Sequence, residues 1–193
     1  KKKKWKALVT TGPTREYIDP VRYISNESSG KQGYEIAIAL NKLGIKTTLI
    51  AGPSNLNFPK GLKVKKIISA NEMLNEVKKS LPVDLAVCAA AVADFKPAEK
   101  NKNKIKKESD KLKKITFVQN KDILEYISKN NKHRPLLVAG FSAETENLME
   151  NSIGKIKKKH CDIIFANDVS QKDIGFNSDY NKISIIDKSG NVK

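Results

Sequence analysis

Short apolar runs alternate with amphipathic stretches along this chain, and the spacing of the apolar positions tells the two apart. Lys6-Ala-Leu-Val-Thr-Thr-Gly12 is an apolar run closed by a turn glycine, which predicts a short buried strand. Over residues 32–43, Ile36, Ala37, Leu40 and Leu43 recur at helical spacing, and Gly44 stands where helices are commonly closed. Residues 47–51 and 64–68 read as strands, and Asn71 is placed to cap a helix running to about Lys79. Residues 83–89 are apolar except for Asp84, the pattern of a strand covered on both faces. Strand character returns at 115–118, 136–139, 162–166 and 182–187, with helices at 122–128 and about 145–158 between them and a Lys188-Ser-Gly-Asn turn near the end.

Strands alternating with helices predict a mainly parallel sheet with right-handed crossovers, an α/β fold of the Rossmann-like three-layer sandwich kind. Ligands in such sheets bind beyond the carboxyl ends of the strands. That places residues 12–33, 89–94, 140–144 and 167–170 around one crevice. With 193 residues, one domain spanning the chain is expected. Residues 96–114 break the pattern, with nine lysines against three acids and no period, and read as an exposed, mobile flap.

The net charge of +16 raises the possibility of a nucleic-acid partner. Arginine, which reads phosphates and bases bidentately, occurs only as Arg15, Arg22 and Arg134. The lysines are not interleaved with aromatics, so general nucleic-acid binding is disfavoured. Cys88 and Cys161 have no second thiol or histidine at metal-ligand spacing and read as reduced structural residues. His133 and His160 stand alone. No apolar run is long enough to span a membrane and no secretory signal is read, so a cytoplasmic address is expected.

Three stretches carry candidate chemistry. Residues 11–33 form an unusually long, polar strand-to-helix connection ending in Ser28-Ser-Gly-Lys-Gln-Gly33 at a helix start, where N–H groups and the positive dipole end suit phosphate or carboxylate oxygens. A phosphate-binding loop of the Walker kind would need glycine at Ser25 and serine or threonine at Gln32, and no G-x-G-x-x-G is present. Ala89-Ala-Ala-Val-Ala-Asp94 leaves a strand with small side chains followed by a carboxylate, suited to a flat ligand and its ribose. Lysines at 104–107, with Lys155 and Lys159 one helical turn apart, would suit a triphosphate.

Taken together, Gly12-Pro-Thr-Arg-Glu16, Asp19-Pro-Val-Arg-Tyr-Ile-Ser-Asn-Glu-Ser-Ser-Gly-Lys31, Ala89 to Asp94, Lys104-Ile-Lys-Lys107, Gly140-Phe-Ser-Ala-Glu-Thr145 and Ala166-Asn-Asp-Val-Ser170 resemble the phosphopantothenoylcysteine synthetases in order and spacing. The resemblance implies a ligase that joins 4'-phosphopantothenate to L-cysteine through an acyl-nucleotide, with CTP giving CMP and pyrophosphate and Mg2+ assisting. The Lys-x-Lys-Lys pattern is similar to the CTP-using bacterial enzymes rather than the ATP-using type. By position, Asn26 matches the catalytic asparagine and Lys104 the flap lysine. The nucleotide pocket maps onto Ala89, Ala90, Asp94, Lys104, Lys121, Asp122, Ile123, Leu124, Phe141, Lys155 and Lys159. Substrate and phosphate contacts map onto Gly12, Thr14, Arg22, Asn26, Ser28, Ser29 and Gly30, and the metal ligands stay open. The family often has proline where Lys121 stands. The resemblance further implies a homodimer whose site the partner completes, and a flavin-dependent decarboxylase fused or associated in many bacterial relatives. Neither that domain nor the family's final helix is read here, so no flavin is expected in this chain. The competing readings are a nucleotide-binding reductase, which would want the missing glycine fingerprint, and a basic RNA- or DNA-binding module.

Overall fold

The computed structural model describes residues 4–107, 112, 114–144, 146–168 and 182–193. Seven strands form one sheet: β1 (Lys6–Thr11), β4 (Lys46–Ala51), β5 (Lys63–Lys66), β6 (Leu85–Cys88), β9 (Leu137–Glu144), β10 (Ile163–Asp168) and β11 (Ile183–Asp187). Their spatial order is β11-β10-β9-β6-β1-β4-β5, parallel throughout except for the antiparallel edge strand β11. The strand order reverses at β1, the point at which doubly wound sheets open a ligand crevice.

The alternation of side chains along each strand divides the core in two. Leu8, Ile50, Ala86, Val138, Ile164 and Ile186 face one way, beneath α2 (Ala70–Ser80), α3 (Ile123–Ser128) and α4 (Leu148–Lys159). Val9 and Leu49 face the other way, with Val87 beside them, beneath α1 (Lys31–Lys42). Helices on both faces of the sheet make the three-layer α/β sandwich that the pattern predicts. Gly44 closes α1 as expected, with φ 79° and its N–H donating to the Asn41 carbonyl.

Several expectations need correction. Ser69, not Asn71, caps α2: its hydroxyl accepts from Glu72 N–H, and the Glu72 carboxylate reaches back to Ile68 N–H, an arrangement like the reciprocal capping box. Residues 11–33 are not a plain loop but contain the hairpin of β2 (Arg15–Asp19) and β3 (Arg22–Ser25). The strand expected at 115–118 lies outside the main sheet as β8 (Phe117–Gln119), paired antiparallel with β7 (Phe95–Pro97). It has no place inside the sheet because β6 and β9 bond directly to each other. Leu136, expected in a buried strand, is exposed, and β9 instead runs on to Glu144. β6 is shorter than the apolar run that predicted it, and only Ala86 within it is buried. The flap is not uniformly loose. Ala98 N–H bonds to the Thr116 carbonyl, Asn101 N–H to the Ile18 carbonyl, and Ile105 is buried.

Candidate functional site

Hydrogen bonds between the loops that leave β1 and β6 build the rim of a crevice at the carboxyl ends of the strands. Ala89 N–H donates to the Thr10 carbonyl and Ala91 N–H to the Gly12 carbonyl, continuing the parallel ladder past the strands themselves. Thr14 is buried, accepts from Ala93 N–H at 3.0 Å, and receives the Ser25 hydroxyl on its carbonyl at 2.8 Å. Asn26 follows directly, and its amide Nδ2 donates to the Val92 carbonyl at 3.1 Å. An amide carries two N–H donors and one acceptor oxygen, so this bond orients Asn26 without exhausting it.

The far side of the crevice is the start of α1. Gly30 is its N-cap at φ 77°, a left-handed backbone that glycine adopts without steric cost, and it offers no capping side chain. No acidic residue occupies the first turn, so the dipole end keeps its positive character. Gly33 lets α1 lie directly on β1, since a Cβ there would meet Thr11 Cβ and Oγ1 at 2.6 Å. Thr11 locks the approach by donating to the Gly30 carbonyl at 2.6 Å.

The resulting cavity has a volume of about 1070 Å³. It brings together Asn26, Ser28, Ser29, Gly30, Ala89, Ala90, Asp94, Phe141 and Lys155 of the residues named from sequence. Asn26 and Asp94 therefore share one cavity. Lys155 reaches it from α4 and is steadied by donating to the Phe141 carbonyl at 2.9 Å. The other named residues do not line it. Gly12 and Thr14 are buried behind the rim, Ile123 and Leu124 belong to the apolar core, and Lys121 is exposed beyond it. Arg22 pairs with Asp19, and Lys104 is exposed on the flap.

Lys159 lies outside the cavity, where its ammonium meets Asp122 Oδ2 at 3.0 Å and Glu125 Oε2 at 3.2 Å. Burial works against its charge, but these two carboxylates raise its pKa on balance. Glu125 is held down at about 2, first by the Lys129 hydrogen bond and then by Lys159.

Of the remaining lining, Gln32, Ser142 and Asn167 fall in the stretches that sequence places around the crevice but were given no role there, and Glu35 and Ile183 were missed. Ser142 and Asn167 sat inside quoted motifs, and their strand positions follow once β9 extends past Gly140 and pairs with β10. Asn167 Oδ1 is buried without a hydrogen-bond partner among the described residues. Ile183 had no signal, since only the antiparallel pairing of β11 brings it there. Among the described residues no group of three or more histidine, cysteine or acidic side chains could hold a metal. Mg2+ commonly uses one or two carboxylates plus substrate phosphates, and Asp94 on the cavity wall fits that lesser demand. Also among the described residues, no helix is long and apolar enough to cross a membrane.

The model of the family described as DNA/pantothenate metabolism flavoprotein C-terminal domain matches residues 2–193. The chain is 44% identical over 186 residues to the coenzyme A biosynthesis bifunctional protein CoaBC of Haemophilus influenzae, covering 96% of this chain and 46% of that protein. It is 42% identical over 186 residues to the protein of the same name from Escherichia coli, covering 95% of this chain and 46% of that one. The chain thus spans about half the length of these relatives. Among solved structures, the C-terminal domain of a coenzyme A biosynthesis bifunctional protein CoaBC superposes with a TM-score of 0.80 at 34% identity, covering 98% of this chain and 84% of that one.

Proposed function

This chain belongs to the family of the DNA/pantothenate metabolism flavoprotein C-terminal domain, and from that premise we propose that it is the ligase that joins 4'-phosphopantothenate to L-cysteine in coenzyme A biosynthesis, using CTP. The observation that carries the reading is the single cavity shared by the Asn26 amide, the α1 N-terminus, Asp94 and Lys155. A reductase would need a nicotinamide-binding glycine fingerprint, and the turn after β1 lacks one.

In the first step an oxygen of the substrate carboxylate attacks the α-phosphorus of CTP, and the bond to the β-phosphate breaks with its electron pair leaving on pyrophosphate. Lys155 and the α1 N–H groups meet the phosphate charge, Asp94 would hold Mg2+ bound to it, and the small Ala89 and Ala90 admit the nucleoside closely. Magnesium, when bound, offsets charge on the leaving group. In the second step the cysteine amine attacks the acyl carbon, CMP leaves with the bonding pair, and the amine gives up a proton. Asn26 holds the acyl carbonyl during this attack with the N–H that Val92 does not use. Proximity supplies much of the rate, in keeping with a cavity whose described residues include no nucleophile triad.

Arg22 and Lys104 stand outside the cavity of their own chain, which supports a homodimer in which the partner completes the site. Phe95, Phe117 and Val118 are 55%, 44% and 40% exposed on β7 and β8, and Val21 and Tyr23 are exposed on the neighbouring hairpin. We assign that apolar surface to the dimer, with Lys104 on a flap of one ligase domain. Free Cys88 and Cys161 support a cytoplasmic setting. Pyrophosphate release that requires 4'-phosphopantothenate and prefers CTP to ATP, in magnesium, is the expected result; release by no nucleotide refutes the proposal.

A further inference from the structure

Asp19 closes β2 at the turn of the first hairpin, and it is wholly buried although it carries a charge. Buried carboxylates are costly unless every lone pair is used, and here they are spent on two pieces of chain. Oδ1 accepts from Val21 and Arg22 N–H, both at 2.9 Å, which fixes the hairpin turn. Oδ2 accepts the Arg22 guanidinium and, at 3.2 Å, the N–H of Ile105, which is 86 residues away in sequence. Arg22 Nη1 also reaches the Ile105 carbonyl at 3.4 Å, and the Ile105 side chain is 6% exposed. The segment is pinned a second time where Asn101 N–H donates to the Ile18 carbonyl at 2.9 Å. Lys104 lies between these two pins, next to Ile105, with its side chain in solvent.

We propose that Asp19 is a positioning residue that sets Lys104 against the nucleotide, by clamping the backbone beside that lysine to the hairpin that leads into Asn26. The clamp ties the backbone beside Lys104 and the hairpin that leads into Asn26 to one buried carboxylate. It rests on the reading of the chain as an acyl-nucleotide-forming ligase. Burial raises the Asp19 pKa, but the Val21 and Ile105 N–H groups and Arg22 together lower it on balance, so the acceptor stays ionised at neutral pH.

A merely structural staple and a positioning residue differ in whether their effect depends on Lys104. Asp19→Asn is close in shape, but it turns an NH2 group toward one of the two donor sets and breaks the clamp. The experiment is a double-mutant cycle on nucleotide-dependent pyrophosphate release, with Asp19→Asn introduced into the wild type and into Lys104→Ala. In the wild-type background a loss of roughly tenfold in kcat/KM for the nucleotide is expected, the scale of one charge-assisted hydrogen bond. In the Lys104→Ala background the further loss is expected to stay below about twofold. Equal losses in both backgrounds, or no loss in the wild type, overturn the proposal. If Asp19→Asn does not fold, Ile105→Pro removes the N–H and leaves the carboxylate, and the same cycle is run with it. Absence of any release by the wild type would instead refute the ligase reading, so the two failures are distinct.

Discussion

Two glycines sit inside helices among the described residues, and the structure predicts opposite outcomes when each becomes alanine. Gly33 in α1 and Gly154 in α4 share the same local benefit, about 1 kcal/mol of helix propensity gained by alanine. At Gly154 a Cβ meets no atom within 4 Å among the described residues, so that benefit stands alone. At Gly33 the Cβ would lie 2.6 Å from Thr11 Cβ and Oγ1 and 2.9 Å from the Thr10 carbonyl oxygen. Ordinary contacts lie at about 3.5–4.0 Å, so the shortfall is roughly 1 Å against backbone and a β-branched side chain. Thr11 cannot rotate away without losing its 2.6 Å hydrogen bond to the Gly30 carbonyl. Overpacking of this kind costs about 1–3 kcal/mol, and with little room to relax it outweighs the propensity gain by about 1–2 kcal/mol. For a chain of this length 1 kcal/mol moves Tm by about 2–4 °C. Gly33→Ala is therefore expected to melt about 2–8 °C below the wild type, and Gly154→Ala about 2–4 °C above it. Because relief of the clash lifts the α1 N-terminus from β1, Gly33→Ala also weakens nucleotide binding, which Gly154→Ala leaves unchanged. Thermal denaturation of both variants is the assay. A Gly33→Ala protein as stable as Gly154→Ala would refute the claim that this glycine sets the height of the helix above the sheet.

Two further outcomes follow from the charged and thiol groups. Glu125 has its pKa lowered from 4.5 to about 2, so its ion pairs stabilise the fold fully above about 4.5 and cease to do so as pH falls to about 2. The Tm difference between wild type and Glu125→Gln is expected to be constant from pH 8 to 5 and to vanish toward pH 2; a difference unchanged at pH 2 contradicts the pairing. Burial pushes the Cys88 thiol up to about 12 and Cys161 up to about 11, from an ordinary 9.0. Both are expected to resist a disulfide reagent at pH 8 in the native protein and to react promptly in denaturant, as thiolate is the reactive form. Prompt native labelling of either cysteine would show that its thiol is not shielded.

The fold was legible where burial alone decides structure. The apolar runs that became β1 and β4, and the helical spacing from Ile36 to Leu40, are consequences of packing on two faces, and sequence carries that pattern directly. Pairing partners are long-range, so nothing local could say that β6 would bond β9 and exclude residues 117–119 from the sheet. The hairpin of β2 and β3 was hidden for a related reason: its inward residues include the buried polar Glu16 and Asp19, which read as loop. Glu16 is satisfied by Ala70 N–H at 2.8 Å, a partner 54 residues away. At the site, the residues that follow β6 and those at the α1 start were found because strand ends define the crevice. Lys159, adjacent by helical spacing to Lys155, points instead to Asp122 and Glu125. The expected strand-end residues 169 and 170 and Thr145 lie outside the described residues.

In the proposed ligase reaction Asn26 serves the second step, capture of an activated acyl group by an amine, and not the first. Asn26→Asp keeps the side chain's shape but replaces the N–H donor with a negative charge. The direct test is to incubate that variant with CTP, magnesium and 4'-phosphopantothenate, then with cysteine, and to follow pyrophosphate and amide product separately. Pyrophosphate release and an accumulating acyl-cytidylate are expected, with amide formation slowed by roughly 100-fold or more, the scale for loss of one donor to a developing oxyanion. Amide formed at the wild-type rate by Asn26→Asp would contradict that role.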